Sequence, residues 1–372
     1  MSMFHPAELA VCGYSGSGKT TLIRRLLERF TPTYRVGYAK HSSHAFQMDR
    51  EGKDTAVART AGAARAFIAG EFECAMTAAG DPDFIQRRTL FDDCEFVLAE
   101  GWKSSPLPRL MMLDADAAIL REPAPPKAGP ILAWVGASSS RPAELPADAT
   151  YLQRDNLEEL GALVLRHIQA PLARTPIHGL VLAGGRSTRM GRDKATLNYH
   201  GQSQLAHAVS LVKPLCPQVW VSCRADQATE PHLAPFPQIH DSVLDCGPTG
   251  GILSAMRAHP DSPWLVLACD LPYLATPILQ HLLAERRPLR IATAFRSAHD
   301  GLPEPLCALY EPRARARLFQ FIAQGYECPR KMLINSLVHL LDLPEPRALD
   351  NINHPDEFEA ARRDLGKPAE PA

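Results

Sequence analysis

The run Gly13-Tyr14-Ser15-Gly16-Ser17-Gly18-Lys19-Thr20 satisfies G-x-x-x-x-G-K-[ST] at every fixed position, and it stands between an apolar stretch and a helical one. Residues 8–12 are short and apolar, as a buried strand requires. Leu22, Ile23, Leu26, Leu27 and Phe30 then recur at helical spacing. A strand feeding a glycine loop and a helix points to a parallel sheet with crossover helices, whose loop offers bare N–H groups to an anion. In this reading the backbone from Gly13 to Thr21, through Gly16, Ser17 and Gly18, cradles a β-phosphate. Lys19 neutralises it, and the Thr20 hydroxyl ligates Mg²⁺.

The rest of the first half keeps the same rhythm. A strand at 34–39 ends at Lys40-His41-Ser42-Ser43-His44. His41 and His44 suit a metal or a polar loop, and without a third ligand the loop is the better reading. Residues 54–63 read as helix and 64–69 as a strand continuing the parallel alternation. A buried strand at 95–99 delivers Glu100 beside the P-loop, where it either serves the metal or a water, or caps a turn. Strands at 110–113 and 131–135 follow, then a helix at 156–168. Periodicity stops at the proline-bounded junction 171–176, where a fresh strand begins.

That strand opens a second phosphate-binding pattern, LVLAGGRSTRMGRDKATL at 180–197. The apolar run ends at Leu182-Ala183, and Gly184-Gly185 lets the chain turn tightly at the strand's carboxyl end, where ligands bind in open α/β sheets. Arg186, Arg189, Arg192 and Lys194 follow on a loop too polar to bury. They are either solvated or facing something anionic, and the glycine pair favours a triphosphate. Downstream, Asp241 follows a strand-like segment, GPTGG at 247–251 reads as a glycine-rich loop before a short amphipathic segment at 252–256, and the apolar strand 264–268 runs into Cys269-Asp270-Leu271-Pro272. A carboxylate at the end of a buried strand is costly unless it meets a cation, so Asp270 is the expected Mg²⁺ ligand. Asp241, before serine, is equally a turn former. Thr276-Pro277 marks a helix start as cap and first-turn proline. Strands at 291–295 and 306–310 alternate with helices, and Pro355 starts the last helix behind Asn351 and Asn353.

A chain of 372 residues suggests two or three domains. Lys and Arg total 40 against 41 Asp and Glu, so no nucleic acid or anionic membrane is expected as partner. Nine scattered cysteines without a CxxC pair suit reduced thiols. The amino terminus has no signal-peptide pattern and no apolar run approaches a membrane span, so a cytoplasmic location is expected.

The second half, from about residue 177 to the end, resembles the molybdenum cofactor guanylyltransferases: LAGGRSTRMGRDK, the Asp241 segment with GPTGG, ACDLP and NINHPDEF occur in that family's order and spacing. The first half resembles the GTP-binding adaptor of molybdopterin-guanine dinucleotide biosynthesis, through GYSGSGKTTL, KHSSH, GKDTAVARTAGA and VLAEGWK. Together they look like an adaptor–transferase fusion. The resemblance implies an α/β chain of two three-layer αβα domains, a P-loop NTPase domain at 1–170 and a Rossmann-like nucleotidyltransferase domain at 177–372. It further implies that GMP passes from GTP to the terminal phosphate of molybdopterin, releasing pyrophosphate. Leu182, Ala183, Gly184, Gly185 and Lys194 would hold the nucleotide and Asp241 contact it. Asp270 would hold Mg²⁺. Asn351 and Asn353, with Arg330 and Lys331, are the candidates for the pterin, the asparagines being otherwise turn formers and the two cations otherwise solvated surface charges, which is the better reading of that pair. Lys194, Arg189 and Asp270 form the expected catalytic set, because in-line transfer to an anionic phosphate needs alignment and charge neutralisation and no general base. Weak GTPase activity is expected of the first domain, as are partners among molybdenum insertion enzymes and apo-molybdoenzymes, and a homo-oligomer through that domain. Two departures stand out: Ser222-Cys223-Arg224 where some relatives carry asparagine, and a histidine stretch reduced to His41 and His44. Cytidylyl relatives tend to carry alanine at the position of Gly184, so GTP is expected over CTP and ATP. A cytidylyl or sugar-phosphate nucleotidyltransferase shares the glycine loop and strand-end aspartate, and a non-enzymatic GTP-binding cofactor carrier shares the P-loop.

Overall fold

The computed structural model describes residues 3–42, 46, 48–184, 194–352 and 354–366. The chain divides into two compact units, Met1–Ile168 and Gln169–Ala372.

In the first unit, strands β1 (Glu8–Cys12), β2 (Val36–Lys40), β5 (Phe96–Glu100), β6 (Arg109–Met112), β7 (Ile131–Gly136) and β8 (Tyr151–Gln153) form one parallel sheet in the order β2-β5-β1-β6-β7-β8. β1 and β5 are buried along their whole length, which is why they read as continuous apolar runs and not as alternation. Helix α1 (Lys19–Phe30) buries Leu22, Ile23, Leu26 and Phe30, each stabilising the fold by roughly 1.5–3 kcal/mol relative to exposure. Phe4, Leu107 and Ile119 pack with Ala10, Val97 and Ala99 in a further part of the core.

An excursion between β2 and β5 departs from expectation. Helix α2 (Asp54–Thr60) leads to β3 (Arg65–Ala69), which pairs antiparallel with β4 (Cys74–Ala78) in a separate two-stranded sheet and does not extend the parallel one. The sequence reading missed β4, whose CAMTA has no alternation and no buried residue. Helix α3 (Phe84–Thr89) closes the excursion, and neither α2 nor α3 buries a residue. Phe67, Ile68, Phe72 and Met76 are exposed, Phe72 by 92%.

Helix α4 (Leu157–Arg174) runs through the expected junction, with Pro171 inside it. A proline has the helical φ already, but it loses its N–H bond and crowds the carbonyl four residues back; with only three helical residues after it, it did not stop the last turn.

The second unit carries a mixed seven-stranded sheet in the order β11-β10-β9-β12-β14-β13-β15. Its strands are β9 (His178–Leu182), β10 (Val219–Cys223), β11 (Gln238–His240), β12 (Trp264–Ala268), β13 (Ala292–Arg296), β14 (Pro303–Tyr310) and β15 (Val338–Leu341). β14 runs antiparallel to both neighbours. A turn, not a helix, joins β13 to β14, correcting the expected alternation there. Side chains alternate between two apolar clusters: Val181, Leu265 and Leu267 face one, Leu180, Trp264 and Val266 the other. Helices α5 (Gln204–Val212) and α7 (Thr276–Ala284) supply the first cluster, and α6 (Gly247–Ala258), α8 (Ala314–Ala323) and α9 (Pro329–Ile334) the second. α10 (Pro355–Asp364) packs Phe358 and Ala361 on Tyr199 and Leu197.

GPTGG is not a loop: it is the first turn and a half of α6, with Pro248 in the first turn. Gly250 and Gly251 are there for close packing. A Cβ on Gly250 would collide with the Val243 carbonyl oxygen, and one on Gly251 with the Ser222 hydroxyl and, at 2.9 Å, with Leu182 Cδ2. α6 therefore buries Thr249 through Met256 without the polar face expected of an amphipathic segment. α7 does begin at Thr276, but its cap is Ala275 and no side chain caps it.

Candidate active site

In the first unit the P-loop joins β1 to α1 in the backbone conformation its glycines permit: Gly16 and Gly18 take φ of 76° and 90°, values that disfavour any side chain. Lys19 Nζ donates to the Tyr14 carbonyl at 2.6 Å, so its ammonium arches back over the loop. The Ser17 hydroxyl is buried and makes no hydrogen bond among the described residues. Glu100, at the end of β5, is 4% exposed. It accepts from the Thr20 hydroxyl at 2.9 Å, the Tyr38 hydroxyl at 2.8 Å and Lys40 Nζ at 3.0 Å. Burial alone would raise its carboxyl, but the donors Tyr38, Lys40 and Thr20 outweigh burial and hold it below the usual range. Glu100 thus faces the P-loop threonine and does not cap a turn. Thr20 and Glu100 place two hard oxygen donors side by side, the chemistry Mg²⁺ prefers. Tyr38 and Lys40, which anchor Glu100, were missed, although both sit on the strand next to it. His41 packs its ring against Trp102, and His44 lies outside the described residues.

In the second unit three parallel strands end together. Leu182 at the end of β9 stands opposite Ser222 on β10 and Ala268 on β12. Ala183 N donates to the Ser222 carbonyl at 3.0 Å, and Cys269 N to the Leu182 carbonyl at 3.3 Å. This register brings Ala183-Gly184, Ser222-Arg224 and Cys269-Asp270 to one edge.

Asp270 Oδ2 meets Lys194 Nζ at 2.8 Å, the two side chains being 21% and 18% exposed. The cation that a carboxylate at the end of a buried strand needs is therefore supplied to Asp270 within the chain, and its burial does not by itself require a metal. Asp241 N donates to the Cys223 carbonyl, and its Oδ1 accepts from the Ser222 hydroxyl at 3.0 Å. Burial raises the Asp241 carboxyl, and the Ser222 hydrogen bond and Arg224 offset only part of that. Arg224, noted in the sequence only as a departure, donates from Nη1 to the Gly184 carbonyl at 2.9 Å. The rule that finds ligand residues at strand ends would have found it, since it directly follows β10. Gly185, Arg186, Arg189, Arg192 and Asn353 lie outside the described residues.

A cavity of about 250 Å³ opens beside Asp270, with Asn351, Arg330, Glu304, Asp300 and His299 on its wall. Asn351 reaches it because Ile352 N donates to the Asp270 carbonyl at 3.3 Å. Arg330 is not a solvated surface charge: it pairs with Asp300 at 3.0 Å and Glu304 at 2.7 Å. Lys331 stands 3.6 Å over the Tyr326 ring and is not on the cavity wall. Among the described residues no group of three or more His, Cys, Asp or Glu is gathered for a metal, the cysteines are free thiols, and no helix is long and apolar enough to cross a membrane.

Against known proteins, residues 8–133 match the family described as molybdopterin guanine dinucleotide synthesis protein B, and residues 179–339 the MobA-like NTP transferase domain. The molybdenum cofactor biosynthesis bifunctional protein of Synechocystis is 36% identical over 190 residues, 51% of this chain and 55% of that protein, so little more than half its length is matched. A molybdenum cofactor guanylyltransferase of Pseudomonas putida is 32% identical over 196 residues, 51% of this chain and 99% of that protein. The crystal structure of molybdopterin-guanine dinucleotide biosynthesis protein A from Archaeoglobus fulgidus superposes with a TM-score of 0.43 at 24% identity, covering 50% of this chain and 97% of that one.

Proposed function

The chain belongs to the molybdenum cofactor guanylyltransferase family, and from that premise we propose that its second unit transfers GMP from GTP to the terminal phosphate of molybdopterin, releasing pyrophosphate. The observation that carries this reading is the Lys194–Asp270 pair beside the Ala183-Gly184 turn. It puts a cation and an anion where a triphosphate would meet the carboxyl ends of the strands. The nucleotide lies along Leu182 to Gly185, contacts Asp241 and engages Lys194, with Arg189 near in sequence. Molybdopterin enters the cavity wall bearing Asn351, with Asn353 close in sequence, and presents its phosphate in line with the α-phosphorus.

Asp270 would hold Mg²⁺, which neutralises phosphate charge when bound. Its Oδ1 accepts no hydrogen bond among the described residues and suits a hard cation. Lys194 then leaves Asp270 for the leaving pyrophosphate. No described side chain needs to remove a proton, because the attacking phosphate is already an anion.

The first unit is the adaptor. Its P-loop binds GTP through Gly13, Gly16, Ser17, Gly18, Lys19, Thr20 and Thr21, with Thr20 as Mg²⁺ ligand and Glu100 behind it, and hydrolyses it slowly. Phe67, Ile68, Phe72 and Met76 give this unit an exposed apolar surface of the kind that marks protein contacts. That surface supports a homo-oligomer, or docking to molybdenum insertion enzymes or apo-molybdoenzymes. The location that suits these substrates is the cytoplasm.

The test is direct. The full chain, incubated with Mg²⁺, GTP and molybdopterin, is expected to yield molybdopterin guanine dinucleotide and pyrophosphate. Pyrophosphate from CTP alone would move the reading to cytidylyl transfer, and GTP binding without any dinucleotide would make the chain a carrier.

A further inference from the structure

Resting on the reading that molybdopterin fills the cavity beside Asp270, we propose that Glu304 selects the pterin, its carboxylate accepting from the 2-amino group and N3–H of the aminopyrimidinone edge. Three carboxylates line that cavity, and their hydrogen bonds separate them. Asp270 is held by Lys194 and belongs with the phosphates. Asp300 is 44% exposed, and both its oxygens are engaged, Oδ1 by Leu302 N at 3.0 Å and Oδ2 by Arg330 Nη1 at 3.0 Å. Glu304 is 20% exposed, and only its Oε2 is engaged, by Arg330 Nη2 at 2.7 Å. Its Oε1 accepts no hydrogen bond among the described residues.

The partner that Glu304 already holds shows which ligand chemistry suits it. A guanidinium and the N2–H/N3–H edge of a 2-amino-4-oxopyrimidine present the same fork of parallel N–H donors, and a carboxylate is the acceptor that matches both. Arg330 gives Glu304 one donor of such a fork, from Nη2, and spends Nη1 on Asp300. Either the pterin takes the free Oε1 beside Arg330, or it displaces Nη2 while Asp300 keeps Nη1. In both arrangements Arg330 stays in the wall and offsets the carboxylate charge. Glu304 lies on β14 beside Pro303, which stands opposite Arg296 of β13, where that pairing shifts register. An analogue with oxygen in place of the 2-amino group would turn an acceptor towards Glu304 and lose the hydrogen bond there.

The experiment uses the full chain and the transfer reaction, with GTP saturating and molybdopterin varied. In Glu304→Gln the KM for molybdopterin is expected to rise roughly ten- to a hundredfold, the loss typical of a charge-assisted hydrogen bond, while the KM for GTP stays unchanged. Pterin and lumazine, its 2-oxo analogue, serve as competing inhibitors. The wild type is expected to be inhibited about tenfold more strongly by pterin, and Glu304→Gln to lose that preference. Arg330→Gln breaks the same ion pair but keeps the carboxylate, and it is expected to retain the preference. An unmoved KM for molybdopterin in Glu304→Gln, or a preference that follows Arg330 and not Glu304, would overturn the assignment while leaving guanylyl transfer intact. A wild type that forms no dinucleotide would instead bring down the parent reading, and this one with it.

Discussion

Lys194 and Asp270, 76 residues apart in sequence, meet at 2.8 Å across the edge where β9 and β12 end. In the transfer proposed for this unit the two would have separate tasks, the lysine on phosphate oxygens and the aspartate on Mg²⁺, and the ion pair would be the resting state that the charged substrate replaces.

Asp270→Asn and Lys194→Met are each expected to lower guanylyl transfer by about a hundred- to a thousandfold, as when one preorganised charge is lost from a transition state. Stability should change little in Asp270→Asn, which removes the carboxylate that needs a cation, and fall more in Lys194→Met, which leaves that partly shielded carboxylate without one. Steady-state rates against Mg²⁺ concentration, with thermal melts alongside, check both. A near-normal rate for Asp270→Asn at ordinary Mg²⁺ would remove it from the mechanism.

At the P-loop, Lys19→Ala should abolish GTP binding by the first unit, read by nucleotide retention, and leave transfer by the second unit in place. Loss of transfer in step with GTP binding would show that the units are not independent in function.

Glu100 supplies an acid-side signature. Its carboxyl is held below its ordinary value of 4.5, so the unfolded chain binds the proton more readily. The stability it contributes is present above that ordinary value and is lost as pH falls through the lower folded value. Glu100→Gln is expected to flatten the fall in first-unit stability below about pH 4.5, in denaturant melts at stepped pH. An unchanged slope would mean that the Tyr38, Lys40 and Thr20 contacts do not form in solution.

His207 gives a second window. Burial, helped by the neighbouring His200, lowers it from 6.5 to about 4. Between those values the unfolded chain is protonated and the folded chain is not. Stability therefore drops as pH falls from 6.5 towards 4, and the penalty is complete below the folded value. His207→Phe should lessen that drop. The same pH dependence in variant and wild type would count against a neutral His207 stacked on His200.

The sequence reveals most where a residue's neighbours along the chain decide its environment. Strands β1, β9 and β12 and the helix behind Gly18 follow from local periodicity, and Glu100 and Asp270 are legible because a carboxylate ending an apolar run has few harmless explanations. What escaped depends on pairing across the sheet. Ser222 holding Asp241, Arg224 reaching the Gly184 carbonyl and Tyr38 bonding Glu100 join residues on, or just past the ends of, different strands. GPTGG misled because glycine ordinarily argues against helix, whereas here the approach of Val243 and Ser222 leaves no room for a side chain. β3 misled because its composition does not reveal whether its partner is the main sheet or the next strand.

Base choice is the remaining prediction, and it turns on the glycine at 184. A Cβ there would lie 3.3 Å from Cys223 Cα and 3.5 Å from Arg224 N, so a methyl presses on the β10 backbone before it meets any base. The neighbours must give by a few tenths of an ångström, and Arg224 is tied to this turn through the Gly184 carbonyl. Gly184→Ala should therefore shift the turn and the Arg224 guanidinium together, weakening GTP use and narrowing its advantage over CTP and ATP. Arg224→Ala should also slow GTP use, but without the steric push, so that it alters the KM for GTP more than the order of preference. If guanine's edge is read by buried polar groups, the wild type should reject a base lacking that edge by about ten-thousandfold. Competition among the three nucleotides on the full chain, with Lys19→Ala present to silence the P-loop, measures the preference at this site alone. Equal use of CTP by that variant would reassign the chemistry to cytidylyl transfer, and an unaltered order in Gly184→Ala would show that the turn at 184 does not set base choice.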